Sequence, residues 1–239
     1  AAELRSIGID LSFAPCIDLD YGVSEVIGDR AYHRDPEVVS RLAVACMQGM
    51  RTAGMAATAK HFPGHGAVVA DSHKALPIDR RPLHELTDEL LPYRRMIANG
   101  LTSVMVAHVL FPEVDAAPAG FSARWIQQEL RWGLGFTGAV FSDDLSMGGA
   151  AYAGTVPERA RRAIEARCDL LPICNDRPAV LATLTELEGA ADPLSQVRLV
   201  RLHGRPMPAR EQLRRTAQWA ECQRAIDHCR DAPSLQLNA

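Results

Sequence analysis

Aromatic residues make up only 5% of this 239-residue chain, and that scarcity removes one class of function at once. Single-stranded nucleic acid is gripped by stacking bases on aromatic rings, and too few rings are present to build such a platform. Positive charge is not in excess either. A formal net charge of -3 at pH 7 leaves no broad basic field for a phosphate backbone, so no nucleic-acid partner is expected. No apolar run approaches the ~18 residues that would span a bilayer, and no signal-peptide pattern opens the chain. The six cysteines (Cys16, Cys46, Cys168, Cys174, Cys222 and Cys229) are scattered, with no Cys-x-x-Cys pair. They are expected to be reduced and mostly buried, in a cytoplasmic protein. A G-x-G-x-x-G turn is also missing, which argues against an open dinucleotide-binding sheet.

What is present is alternation. At 47% hydrophobic, the chain repeats short apolar runs and amphipathic stretches, the pattern of a parallel sheet covered by helices. Strands are expected over residues 9–19, 55–59, 103–111, 139–143 and 169–174. Between them, Asp35 and Pro36 read as the cap and first turn of a helix that Gly54 closes. A helix over 82–99 contains Pro92, where a kink or split is expected. Ser122 caps a helix reaching Arg131, Thr155 and Glu158 form a capping box for a helix to Arg167, and a further helix covers 178–187. Periodicity weakens after Asp192, and residues 208–229 read as a terminal helix. Polar residues at the carboxyl ends of at least two strands favour a TIM-type (β/α)8 barrel. Five strands do not close one, so about three strand–helix units, roughly 90–110 residues at barrel-unit lengths, are expected before Ala1. The whole of 1–239 is read as a single catalytic domain, with barrel units to about 191 and a helical extension over 192–239.

The chemistry concentrates where the second strand ends, in Lys60-His61-Phe62-Pro63-Gly64-His65-Gly66, continuing to Asp71-Ser72-His73. A fixed cation, several imidazoles and a turning chain sit together there. A later strand ends in Phe141-Ser142-Asp143-Asp144-Leu145. Alternate strand residues face opposite ways, so only one of Asp143 and Asp144 can point into a barrel mouth. Imidazole titrates near pH 6.5 and can both give and take a proton near neutrality. A carboxylate such as Asp71 would fix its tautomer if the two side chains meet, which a spacing of two on an irregular loop does not settle. Gly64, Gly66, Ala67 and Ala70 suit a mobile loop whose closure would govern proton donation.

Blander readings attach to the other polar residues. His65 is expected to structure its loop, and Asp18 and Asp20 to cap turns or support the site. His108 either lines the pocket or satisfies a buried carbonyl. Asp29 and Arg30 form a plausible surface pair, Asn175 a turn, and Met47, Met50 and Met55 core. Arg159, Arg161 and Arg162 read as a solvated helix face. His61 and His65, with His73, His84 and His108, also suggest a metal-dependent barrel hydrolase. Pro63 and Gly64 interrupt any helix that would align the first two, so no metal or other cofactor is expected. A sugar-binding fragment without turnover is a third reading.

Four blocks together, Ile7-Gly8-Ile9-Asp10-Leu11-Ser12-Phe13-Ala14-Pro15, Gly28-Asp29-Arg30-Ala31-Tyr32, the 60–73 stretch and Phe141-Ser142-Asp143-Asp144-Leu145-Ser146-Met147, resemble glycoside hydrolase family 3. Within it they are most similar to the bacterial cytoplasmic β-N-acetylglucosaminidases of peptidoglycan recycling. The resemblance implies a retaining exo-hydrolase working through a covalent glycosyl-enzyme, on small muropeptide sugars, as a monomer. It implies Asp143 as nucleophile, His73 as general acid/base and Asp71 as its orienting carboxylate. Arg30, Lys60 and His61 become sugar ligands by the same correspondence.

Overall fold

Four short runs of small and β-branched residues pair in the order in which they occur along the chain. In the computed structural model, which describes residues 1–190 and 192–231, β1 (Leu11–Ser12), β2 (Ala56–Phe62), β3 (Ser103–Val106) and β4 (Ala139–Ser142) form one parallel sheet, ordered β1-β2-β3-β4. A fifth segment joins by the parallel bridge Phe141–Leu170 and by the bond from Ser142 N–H to Leu170 O. Consecutive order matters, because a doubly wound sheet reverses direction at a switch point and this one does not.

Side-chain alternation sorts the two faces. Ala57, Ala59, Val104, Val106 and Val140 pack in the main core beneath the helices. Those helices include α2 (Pro36–Thr52), α3 (Thr87–Ala98) and α4 (Val156–Glu165), whereas a short α1 (Ala2–Ser6) precedes β1 and lies outside that core. Ala56, Met105, Ala139 and Phe141 point the other way, into a smaller cluster closed by Leu202. Helices over one face and a separate inner cluster on the other are the layering of a TIM-type barrel wall, and Leu199, from the helix over Pro193–Val200, packs against that inner cluster. The chain then continues through α5 (Arg177–Glu186), α6 (Pro193–Val200), α7 (Arg210–Leu213) and α8 (Ala217–Asp231).

Several caps form as the sequence dictates. Asp35 Oδ1 accepts from the N–H groups of Glu37 (2.8 Å) and Val38 (3.3 Å). Thr155 and Glu158 make the reciprocal capping box, and Ser122 Oγ accepts from Trp125 N–H at 3.1 Å. Met47, Met50 and Met55 are buried.

Other expectations are corrected. The first strand is two residues long rather than eleven: Pro15 has no N–H to give a ladder, and beyond Ser12 pairing with β2 is irregular, through Thr58 N–H to Ala14 O (2.9 Å), Lys60 N–H to Pro15 O (3.3 Å) and the Cys16–Lys60 bridge. The 82–99 helix does divide, but at Leu86, where a 3-10 turn (Leu83–Leu86) gives way to α3, and Pro92 lies within α3. Residues 124–133 wind as a wide π-type helix, and residues 208–229 are two helices rather than one. Three cysteines, Cys174, Cys222 and Cys229, are exposed rather than buried. The helical extension expected over 192–239 is described to Asp231. No described helix is long and apolar enough to cross a membrane.

Candidate active site

β2 delivers two consecutive residues to one place. Lys60 shares the inward parity of Ala56, whereas His61 in a regular strand would face the helices. The β2–β3 register shifts between Ala59 and Phe62, and that irregularity brings Lys60 and His61 to the same cavity. Gly66 then passes so close to Leu19 that any Cβ would collide with the Leu19 carbonyl, so only glycine fits there.

β4 delivers Asp143 with the inward parity of Ala139 and Phe141. Its N–H donates to Val106 O at 3.1 Å, which extends the β3–β4 ladder to the carboxylate. Asp143 is 9% exposed, and Oδ1 accepts the N–H of Asp144 at 2.9 Å. Asp144 turns outward and is already engaged. It accepts from Ser146 N–H (2.9 Å), Ser146 Oγ–H (2.7 Å) and Cys174 N–H (3.0 Å). Burial works to raise its pKa, but these donors prevail and hold it below the usual carboxylate value.

Asp71 and His73 do meet. His73 Nδ1 lies 2.8 Å from Asp71 Oδ1, and the His73 N–H donates to the same oxygen at 2.9 Å. The backbone donor first, then the ring, keeps the Asp71 carboxyl below its ordinary value. With Nδ1 taken by Asp71, Nε2 is the nitrogen of His73 left for chemistry. The loop itself is docked on the segment after β4. Gly149 N–H donates to Ser72 O (2.8 Å) and Gly148 N–H to His73 O (2.9 Å).

One cavity of about 100 Å³ is lined by Asp143, His73, Lys60, His61 and Arg30, the last held by Nε and Nη2 donating to the Val26 carbonyl. Asp71 stands behind His73. All six residues singled out in the sequence are therefore in the cavity wall or directly bonded to it. Four further lining residues, Val26, Ile27, His65 and Ser72, carried no functional signal beyond the loop role given to His65. That role fits: His65 Nε2 lies 2.9 Å from Ser72 Oγ, and burial holds the ring below its ordinary pKa.

The remaining polar residues resolve. His108 is fully buried, stacked on Phe121, with Nε2 3.2 Å from the Asp144 carbonyl; it does not line the cavity. Asp18 supports the site from below, bonded to His61 and His65. Arg30 faces Val26 O, and no Asp29–Arg30 ion pair occurs among the described residues. Arg159 is not a solvated side chain: it donates to the carbonyls of Gly154 (2.7 Å) and Leu145 (2.7 Å), pinning the segment after Asp143. Asn175 takes φ 58°, the left-handed turn conformation. The one described group with metal-ligand proximity is Cys16, Asp18 and His61, whose donors are already bonded to one another.

A carboxylate and an Asp–His pair sharing a cavity at the carboxyl edge of a parallel barrel wall define a barrel hydrolase, able to combine nucleophile and proton shuttle. Residues 1–200 match the glycosyl hydrolase family 3 N terminal domain, and the chain belongs to that family of glycosidases. A β-hexosaminidase of Thioalkalivibrio sulfidiphilus is 49% identical over 238 residues, spanning 100% of this chain and 69% of the relative. One from Nitrosospira multiformis is 52% identical over 209 residues, covering 87% of this chain and 60% of the relative. The crystal structure of NagZ from Neisseria gonorrhoeae in complex with N-trifluoroacetyl-D-glucosamine superposes with a TM-score of 0.84 at 42% identity, over 97% of this chain and 67% of that one. The chain thus spans 60–69% of the length of these three proteins.

Proposed function

We propose that this chain is the catalytic part of a retaining exo-β-N-acetylglucosaminidase. The observation that carries the reading is the shared cavity, with the Asp143 carboxylate in one wall and the Asp71-bonded His73 in another. In the first step Asp143 attacks the anomeric carbon while His73 Nε2–H gives its proton to the departing oxygen; the glycosidic bond breaks and the aglycone leaves as an alcohol. In the second, neutral His73 takes a proton from water, whose oxygen displaces Asp143 and releases the sugar. Asp71 stabilises the imidazolium formed in between, as a carboxylate does in an Asp–His pair. Arg30, Lys60 and His61 bind sugar hydroxyls and the N-acetyl side.

The identity of the sugar is supported by the β-hexosaminidase relatives and by the N-trifluoroacetyl-D-glucosamine complex of the Neisseria protein. The reading extends to muropeptide fragments of peptidoglycan as substrates, handled in the cytoplasm by a monomer, on the family resemblance of the motifs. Among the described residues, those to about 190 serve as barrel units and 192–231 as a helical extension. Turnover of 4-nitrophenyl N-acetyl-β-glucosaminide against the matching glucoside tests the reading. Release from the first and at least about tenfold less from the second is expected. Equal rates, or none with either, contradict it.

A further inference from the structure

Asp18 is the most deeply buried charge near the cavity, 2% exposed, and it does not line the cavity. Four donors of this chain meet its two oxygens. Oδ2 accepts from His61 N–H (3.1 Å), His61 Nδ1 (2.7 Å) and Cys16 Sγ–H (3.2 Å), and Oδ1 accepts from His65 N–H (2.8 Å). Burial opposes its charge, yet His61, with His65 and Cys16, outweighs burial and brings its pKa down to about 2. An ionised carboxylate only accepts, so the His61 nitrogen facing it must carry hydrogen.

We infer that Asp18 is a positioning residue that fixes the His61 ring with Nδ1–H toward its carboxylate, so that a ring carrying a single proton presents the cavity with a bare Nε2 acceptor suited to a sugar hydroxyl. The part concerning the sugar rests on the function proposed above; the tautomer does not. The logic is that of a metal-free second support: the group behind the imidazole decides what the imidazole offers in front. The same carboxylate, through His65 N–H, seats the ring that contacts Ser72 beside His73. Asn at position 18 cannot replace it, since its NH2 must face either His65 N–H or the donors of His61 and Cys16.

Nitrogen-15 spectra of the histidines in the wild-type chain at pH 8, with His61 assigned by its loss in His61→Ala, read the tautomer directly. A protonated Nδ1 and a pyridine-type Nε2 are expected, and a protonated Nε2 overturns the proposal whether or not any variant folds. In Asp18→Asn, the Nε2–H form should appear; an unchanged tautomer counts against Asp18 as its cause. Kinetically, Asp18→Asn should raise KM about tenfold to a hundredfold with kcat within about threefold. Added to His61→Ala it should raise KM by clearly less than it does alone, the remainder being its hold on His65 N–H, whereas fully additive losses contradict action through His61. Absent turnover and absent N-acetylglucosamine binding in the wild type would count against the proposed function alone and leave the spectra to decide the tautomer.

Discussion

Asp143 and Asp144 are neighbours of identical chemistry, separated by what their oxygens already hold. Asp144 is committed to Ser146 and Cys174, while Asp143 keeps one oxygen free of any described donor and faces the cavity. Asp143→Asn should therefore lower turnover by about a thousandfold or more with the fold intact, since it removes the proposed nucleophile. Asp144→Asn should instead cost about 1–3 kcal/mol of stability, read by urea unfolding, with turnover of the folded fraction within about tenfold. The strand period narrowed this choice to one of the two, and the family resemblance pointed to Asp143. What the sequence could not express is the engagement of Asp144, because its partners come from a turn and from a segment thirty residues on. Protonation supplies a second prediction. Burial holds His65 and His108 below the ordinary value of 6.5. A group depressed in the folded state binds fewer protons there than when unfolded, so stability is complete above about pH 6.5 and falls as pH drops toward the folded values. Urea midpoints should fall between pH 7.5 and 5.5, and the fall should be smaller in His108→Gln.

Among the elements, the docking of the His73 loop on the segment after β4 joins the two halves of the proposed chemistry. A Cβ at Gly148 would lie 2.5 Å from the Lys74 carbonyl oxygen and 2.9 Å from that of His73. Gly148→Ala should thus push the loop away and reduce kcat about tenfold or more, with a smaller effect on thermal stability, since the displaced loop is at the rim and not in the core. Such a contact between loops about 75 residues apart leaves no local pattern to read. Capping residues are the opposite case: Asp35, Ser122 and Thr155 each bond within three residues, and each was evident from the string of letters. Arg159 shows the limit, since its helix face was legible and the carbonyls it reaches were not. Trp125, fully buried against Phe62 and Phe111, tests the wide helix as a packing unit. Trp125→Ala should cost about 3–5 kcal/mol in the same urea experiment.

For the molecule as a whole, the consecutive strand order and the face covered by α2, α3 and α4 reduce to the repeating strand–helix unit, which periodicity reveals directly. Strand lengths did not follow, because Pro15 and the Ala59–Phe62 register shift interrupt ladders that apolar character alone would continue. Those same interruptions place Lys60 and His61 side by side, so the irregularity that defeats the pattern also builds the cavity. The central claim is that Asp143 carries the sugar between the two steps. Incubation with a 5-fluoro N-acetylglucosaminyl fluoride followed by proteolysis and fragmentation tests it most directly. The account predicts one glycosyl adduct, on Asp143. An adduct on Asp144, on Asp18 or on any other side chain, or steady turnover of the reagent with no adduct at all, would contradict it.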